Sequence, residues 1–175
     1  MQTAERTSSK ISIWHFLTVA YGFSWLAWLP GILSSRGIID TVPWPPLFAL
    51  GACGPLVAAI WCLRRTDGWN GVREWLQKRF GTSVTWNWWL LILLVPFIIP
   101  ELALFIYQQL GGEVSPLPVF SQPWSMLFTI LLMVTIGGGQ EEFGWRGYLL
   151  GQLQKHWNPW QVDMIFTVVH SAWHL

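Results

Sequence analysis

This sequence is short of charge. Only 11% of its 175 residues are Asp, Glu, Lys or Arg, and ten basic against nine acidic groups leave a formal net charge of +1. An ordinary soluble domain carries about 25% charged residues, so the composition argues against that class. Without a basic stripe there is no electrostatic case for a nucleic-acid partner. Cysteine is scarcer still. Cys53 and Cys62 share one apolar segment, and helical pitch turns them to opposite faces. That excludes a disulfide framework and leaves both as small core residues. No internal repeat and no low-complexity segment is found. The first apolar stretch, preceded by Arg6 and Lys10, has the length of a membrane span and no small-residue cleavage site after it. It reads as a retained helix rather than a signal peptide.

What is present in excess is apolar sequence, 53% of the chain, together with 15 tryptophans. Apolar blocks fall at about 13–33, 47–63, 86–107, 123–136 and 158–175. The first three each have the roughly 17–25 residues that a spanning helix needs. The expected fold class is therefore all-α, a multi-pass transmembrane helix bundle of about five helices, with residues 1–175 forming a single membrane-embedded domain. Between the blocks, 36–46 is a proline-rich connector, 108–122 carries only Glu113, and 64–85 is a basic loop with Arg64, Arg65, Arg73, Lys78 and Arg79. The positive-inside rule places that loop and the N-terminus in the cytoplasm, and Trp86, Trp88 and Trp89 then fall where an interfacial aromatic belt lies. The expected location is the cell membrane, with membrane lipid as one partner.

The fourth block runs without a proline from Pro123 through Gly137–Gly139 into QEEFGWRGYLLGQLQKH. As a single helix it would be roughly 50 Å long, more than the hydrocarbon needs, so a tilt or a break at the glycine triplet is expected. Asn158-Pro159 supplies an N-cap followed by proline at the first helical position, the start of an antiparallel fifth helix.

Charged residues inside such segments are costly and are usually paired or functional. Glu142 and Arg146 stand at i,i+4 and can form an ion pair. Glu141 is rotated about 100° from Glu142, which leaves it as the unpaired carboxylate and the candidate general base. Glu141 and His174 lie almost equally far from the turn near Trp157, so in an antiparallel hairpin their heights differ by only about 1.5 Å. His170 falls between the levels of Glu142 and Arg146. Phe166, His170 and His174 repeat at i,i+4 on one face, and a neutral imidazole level with Glu141 can hold a water or donate to an oxyanion. The same His170–His174 spacing, with Glu141 or Glu142 as third ligand, also fits a helical zinc site.

EEFGWRGYLL followed by FTVVHSAWHL resembles the CAAX protease and bacteriocin-processing (Abi) family of intramembrane endopeptidases. Its EExxxR motif is met by Glu141, Glu142 and Arg146. Its FxxxH motif is met literally by Phe166 and His170, while Trp173-His174-Leu175 looks like the WHLP run of bacterial members. FALGACGPLVAAI is similar to the family's second helix, and the core motif region is about 123–175. The resemblance implies an endopeptidase of the glutamate type, historically grouped with metalloproteases, in which Glu141 and His174 are catalytic and Glu142, Arg146 and His170 are supporting. It implies no cofactor, with zinc on His170 and His174 as the alternative. Its substrate would be a membrane-associated peptide or protein, prenylated CAAX-type or bacteriocin-like. The family's third motif, a histidine followed four residues later by Asn or Asp, is absent, so the chain is expected to be C-terminally truncated.

Packing readings stand beside these. The Glu142–Arg146 pair could serve only to fix helix packing, and His170 reads more readily as a core histidine than as a catalytic one. Glu101 reads as interfacial, His15 and His156 as solvated, and the tryptophans as anchors. The alternative function is a non-catalytic membrane scaffold or immunity protein keeping the same bundle. A transporter would also need intramembrane Glu, Arg and His, but no inverted repeat supports it.

Overall fold

The computed structural model describes residues 13–80, 85–113, 123–132, 135 and 138–175. All regular structure among the described residues is helical, as expected. In chain order the elements are α1 (Ile13–Ser35), α2 (Trp44–Ala52), α3 (Gly54–Phe80), α4 (Trp86–Gln109), α5 (Pro123–Leu132), α6 (Gly139–Gly144), a π-helical segment (Trp145–Leu149), α7 (Leu150–Leu153) and α8 (Pro159–Trp173). Two stretches, Ile13–Ser35 and Trp44–Arg79, are long and apolar enough to cross a membrane. The chain divides into two compact units, Met1–Gln77 with Ile130–Leu175, and Lys78–Thr129.

In the first unit, α1 buries Phe16, Ala20 and Ser24 at i,i+4 spacing. The small members of that stripe admit a neighbouring backbone: a Cβ on Gly54 would stand 2.0 Å from Ser24 Oγ and 2.6 Å from the Ala20 carbonyl. The chain returns through a left-handed Gly37 (φ 68°) and re-enters helix at Trp44 behind Pro43. Residues 47–63, expected as one span, lie within the stretch Trp44–Arg79 that can cross a membrane, with a helix boundary at Cys53 between α2 and α3. Both cysteines are free, with Cys62 buried and Cys53 half-buried.

The basic loop expected over 64–85 is corrected by the structure, which keeps helix as far as Phe80 and breaks it only at Gly68 (φ 68°, ψ −166°). The reason is an apolar face at i, i+3 and i+4 within the charged sequence: Val72 and Trp75 are buried, and Leu76 packs against the core. Residues 81–84 lie outside the described residues.

The fourth block does not form one continuous helix. A new helix starts at Gly139, with Gly138 as its N-cap. Of the glycine triplet expected to mark a break, Gly137 lies outside the described residues. The helix then widens into the π segment, which turns Trp145, Tyr148 and Leu149 inward. Trp75 Nε1 donates to the Gly147 carbonyl there at 3.0 Å, giving that oxygen a donor from α3. The turn to α8 forms as read from the sequence. Asn158 Oδ1 accepts from Gln161 N at 3.0 Å, Gln161 Oε1 accepts from Asn158 N at 3.2 Å, and Pro159 opens the helix.

In the second unit, α4 starts behind Thr85 and ends near a left-handed Gly111 (φ 87°). Trp86, Trp88 and Trp89 at its start are exposed, and so are apolar residues along its length such as Leu91, Ile98 and Phe105. Glu101 is exposed as well. A helix that is apolar on its exposed faces suits contact with lipid.

Candidate active site

Gly144 fixes how the site helix lies against α3. A Cβ there would fall 2.2 Å from both the carbonyl carbon and the oxygen of Pro55, a backbone approach that only glycine permits. Immediately before it, Glu141 and Glu142 occupy the first turn of α6. From the other side α8 is tied to α1 by three contacts. The Tyr21 hydroxyl donates to the Val169 carbonyl, Trp25 Nε1 donates to the Trp173 carbonyl at 3.2 Å, and Trp173 Nε1 donates to Ser24 Oγ at 2.8 Å. Ser24 passes the bond on, donating to the Gly51 carbonyl at 2.6 Å. The last two turns of α8, with both histidines, are held by this relay.

These constraints bring Glu141, His170 and His174 together, with one ligand atom of each lying within 4.8 Å of the others. Both histidines therefore meet Glu141. Helical register alone set His170 nearer Glu142 and Arg146. The π segment lies between Glu141 and the turn and holds more residues per turn than an α-helix, so a uniform α-helical register does not carry through to Glu141. The two imidazoles lie edge to face with centroids 5.0 Å apart.

Glu142 is not part of that cluster. It pairs with Arg146, and the two side chains are 40% and 56% exposed. The Arg146 guanidinium also stands over the Phe166 ring at 5.6 Å, and Phe166 stacks on His170 at 5.7 Å. Arg146 and Phe166 thus form one wall beside His170.

The floor is aromatic. Trp145 and Trp173 are 0% and 1% exposed, in contrast to the anchoring role expected of tryptophan here. Trp145 packs edge-on to His170 at 5.4 Å and to Trp173 at 5.6 Å, and Trp173 meets His174 at 4.7 Å. Both indoles directly adjoin motif residues in GWR and AWH, a signal available in the sequence. Among the described residues, the buried atoms without a hydrogen-bond partner include Trp145 Nε1 and His170 Nε2. Such atoms in a native interior call for an explanation, and in a site of this kind a bound water or a substrate atom provides one.

Two imidazoles and a carboxylate are also a donor set of catalytic zinc sites. Tetrahedral coordination asks for donors about 3.3 Å apart, and the three donors here lie within 4.8 Å of one another.

Fold and site together define an all-helical protein of membrane character carrying an acid–imidazole cluster beside a Glu–Arg pair. Comparison with known proteins narrows the class. Residues 123–175 match the model of the family described as Type II CAAX prenyl endopeptidase Rce1-like. Over 89 residues the chain is 33% identical to a protein of Methanococcus maripaludis named CAAX prenyl protease 2, an alignment covering 47% of this chain and 31% of that protein. The chain thus spans under a third of the length of that relative. No solved structure matches the chain. The two matches support the family resemblance read from the sequence, and the segment matched by the Rce1-like model is the one that carries EExxxR and both histidines.

Proposed function

We propose that the protein is an intramembrane endopeptidase that cleaves a peptide bond of a membrane-associated, CAAX-type substrate with a water activated by Glu141. The observation that carries this reading is the convergence of Glu141, His170 and His174 on one point, in a segment matching the Rce1-like family. Glu141 takes a proton from the water, and the hydroxide formed attacks the scissile carbonyl. His174 donates to the developing oxyanion, with His170 holding the water or sharing that role. Collapse of the tetrahedral intermediate breaks the C–N bond, and Glu141 returns its proton to the leaving amine. Glu142 and Arg146 keep the wall of the site in shape.

A zinc reading uses the same residues. His170, His174 and Glu141 would hold the ion, which would supply Lewis-acid polarisation of the water and carbonyl. The donor spacing favours keeping this second reading. A non-catalytic scaffold retaining the bundle is the remaining alternative. In all readings the protein resides in the cell membrane with its N-terminus and the 64–85 region on the cytoplasmic side.

The chain reconstituted in vesicles with a farnesylated CAAX-type peptide in ¹⁸O-labelled water tests the assignment. Hydrolysis places one labelled oxygen in the new carboxyl group of the product. Absence of cleavage with every CAAX-type peptide offered would favour the scaffold.

A further inference from the structure

A second site lies where α1 begins and the apolar part of α3 ends. Trp61, Arg64 and Arg65 line a cavity of about 330 Å³ there, at the small end of the ~300–1,000 Å³ range of ligand pockets. Each arginine is backed by an indole. The Arg65 guanidinium stands over Trp61 at 5.4 Å, and that of Arg64 over Trp69 at 4.9 Å. Trp69 reaches this position because Gly68 takes a left-handed conformation and turns the chain. From α1, His15 stacks on Trp61 with ring centroids 6.3 Å apart.

Stacking engages the face of a guanidinium and leaves its edge donors free, the arrangement that recognises a phosphate through paired N–H groups. Among the described residues neither arginine forms an ion pair with a carboxylate. The neighbouring Asp67 instead accepts from Thr66 Oγ1 at 2.8 Å. The cavity also sits at a definite level. The apolar run of α3 ends at Leu63 and that of α1 starts at Ile13, while Trp14 and Trp69 are 75% and 62% exposed, as interfacial indoles are.

We infer that Trp61, Arg64 and Arg65 form a binding site for the phosphate headgroup of an anionic phospholipid. The occupant is a lipid rather than a soluble phosphate because the apolar run of α3 ends at Leu63, beside the cavity, and acyl chains can continue along that helix. Basic residues at the cytoplasmic membrane surface attract anionic lipid in the same way, but here the stacked geometry adds a defined pocket.

The test is native mass spectrometry of the full chain in detergent with phosphatidylglycerol, phosphatidylcholine or inorganic phosphate added. Phosphatidylglycerol should be retained about tenfold better than phosphatidylcholine. Arg64→Gln with Arg65→Gln should abolish that preference, and inorganic phosphate at equal concentration should not displace the lipid. Arg73→Gln with Lys78→Gln removes the same charge outside the cavity and should leave the preference intact. Arg64→Lys with Arg65→Lys keeps the charge while losing the planar fork, and should weaken retention even if the glutamine variant fails to fold. Equal retention of the two lipids would overturn the inference. So would displacement by free phosphate, or equal loss in both glutamine variants.

Discussion

Trp173 donates its indole N–H to the hydroxyl of Ser24, a residue 149 positions earlier in the chain, and the bond is buried. Ser24 in turn donates to Gly51, so one hydroxyl joins the end of α8, the middle of α1 and the end of α2. His174 follows Trp173 directly, and its position relative to Glu141 depends on this bond. Ser24→Ala leaves a buried indole N–H unpaired at a cost of about 1–3 kcal/mol. The expected outcome is a folded protein with lowered unfolding resistance in a denaturing-detergent titration. Its catalytic rate should fall more than its substrate affinity.

Two glycines of the site hairpin should respond in opposite directions. At Gly144 a methyl group meets the Pro55 backbone, and overpacking of that kind costs about 1–3 kcal/mol. At Gly151 nothing lies within 4 Å of the added carbon, and alanine in a helix is favoured over glycine by roughly 0.5–1 kcal/mol. Gly144→Ala should therefore destabilise the protein and Gly151→Ala should not, as read by the same detergent titration. Equal effects would contradict the close crossing of α6 and α3.

The fold class and the turn at Asn158-Pro159 were legible because they rest on local signals, apolar run length and a capping pattern. So was the split between Glu141 and Glu142, because neighbouring residues on any helix point about 100° apart. The π segment was not legible. Nothing in WRGYL marks a wider turn, which exists because Trp145, Tyr148 and Leu149 are all accommodated in the core. The helix over 69–80 was obscured for a different reason: its charged residues outnumber the apolar face formed by Val72, Trp75 and Leu76. The burial of Trp145 and Trp173 also escaped, since an indole in a membrane protein serves at the interface or in the core, and only tertiary packing decides.

The Glu142–Arg146 pair lies in a segment of membrane character, where removing one partner leaves the other charge uncompensated. A double-mutant cycle with Glu142→Gln and Arg146→Gln should return a favourable coupling energy above the ~1 kcal/mol upper end of water-exposed pairs. Arg146→Gln should also lower activity, because it removes the cation that stands over Phe166 beside His170. Phe166→Leu should reproduce that loss of activity if the wall is the cause.

Metal dependence separates the two chemical readings of one cluster. With Glu141 acting on water directly, purified protein should hold no stoichiometric zinc by elemental analysis, and prolonged chelation should leave turnover unchanged. Loss of turnover with chelator and rescue by zinc would instead assign His170, His174 and Glu141 as ligands. His174→Ala lowers activity in either case, so the metal content and not the activity is the deciding readout.

The most direct measurement is turnover of a farnesylated CAAX-type peptide by Glu141→Gln in vesicles, compared with the unsubstituted chain. Glutamine keeps the size of the side chain and removes its basicity, and a general base contributes about 10²–10⁴-fold. The expected result is a rate at least about a hundredfold lower, with helix content and substrate binding unchanged. A Glu141→Gln protein that cleaves at the original rate would contradict the assignment of Glu141 as the base.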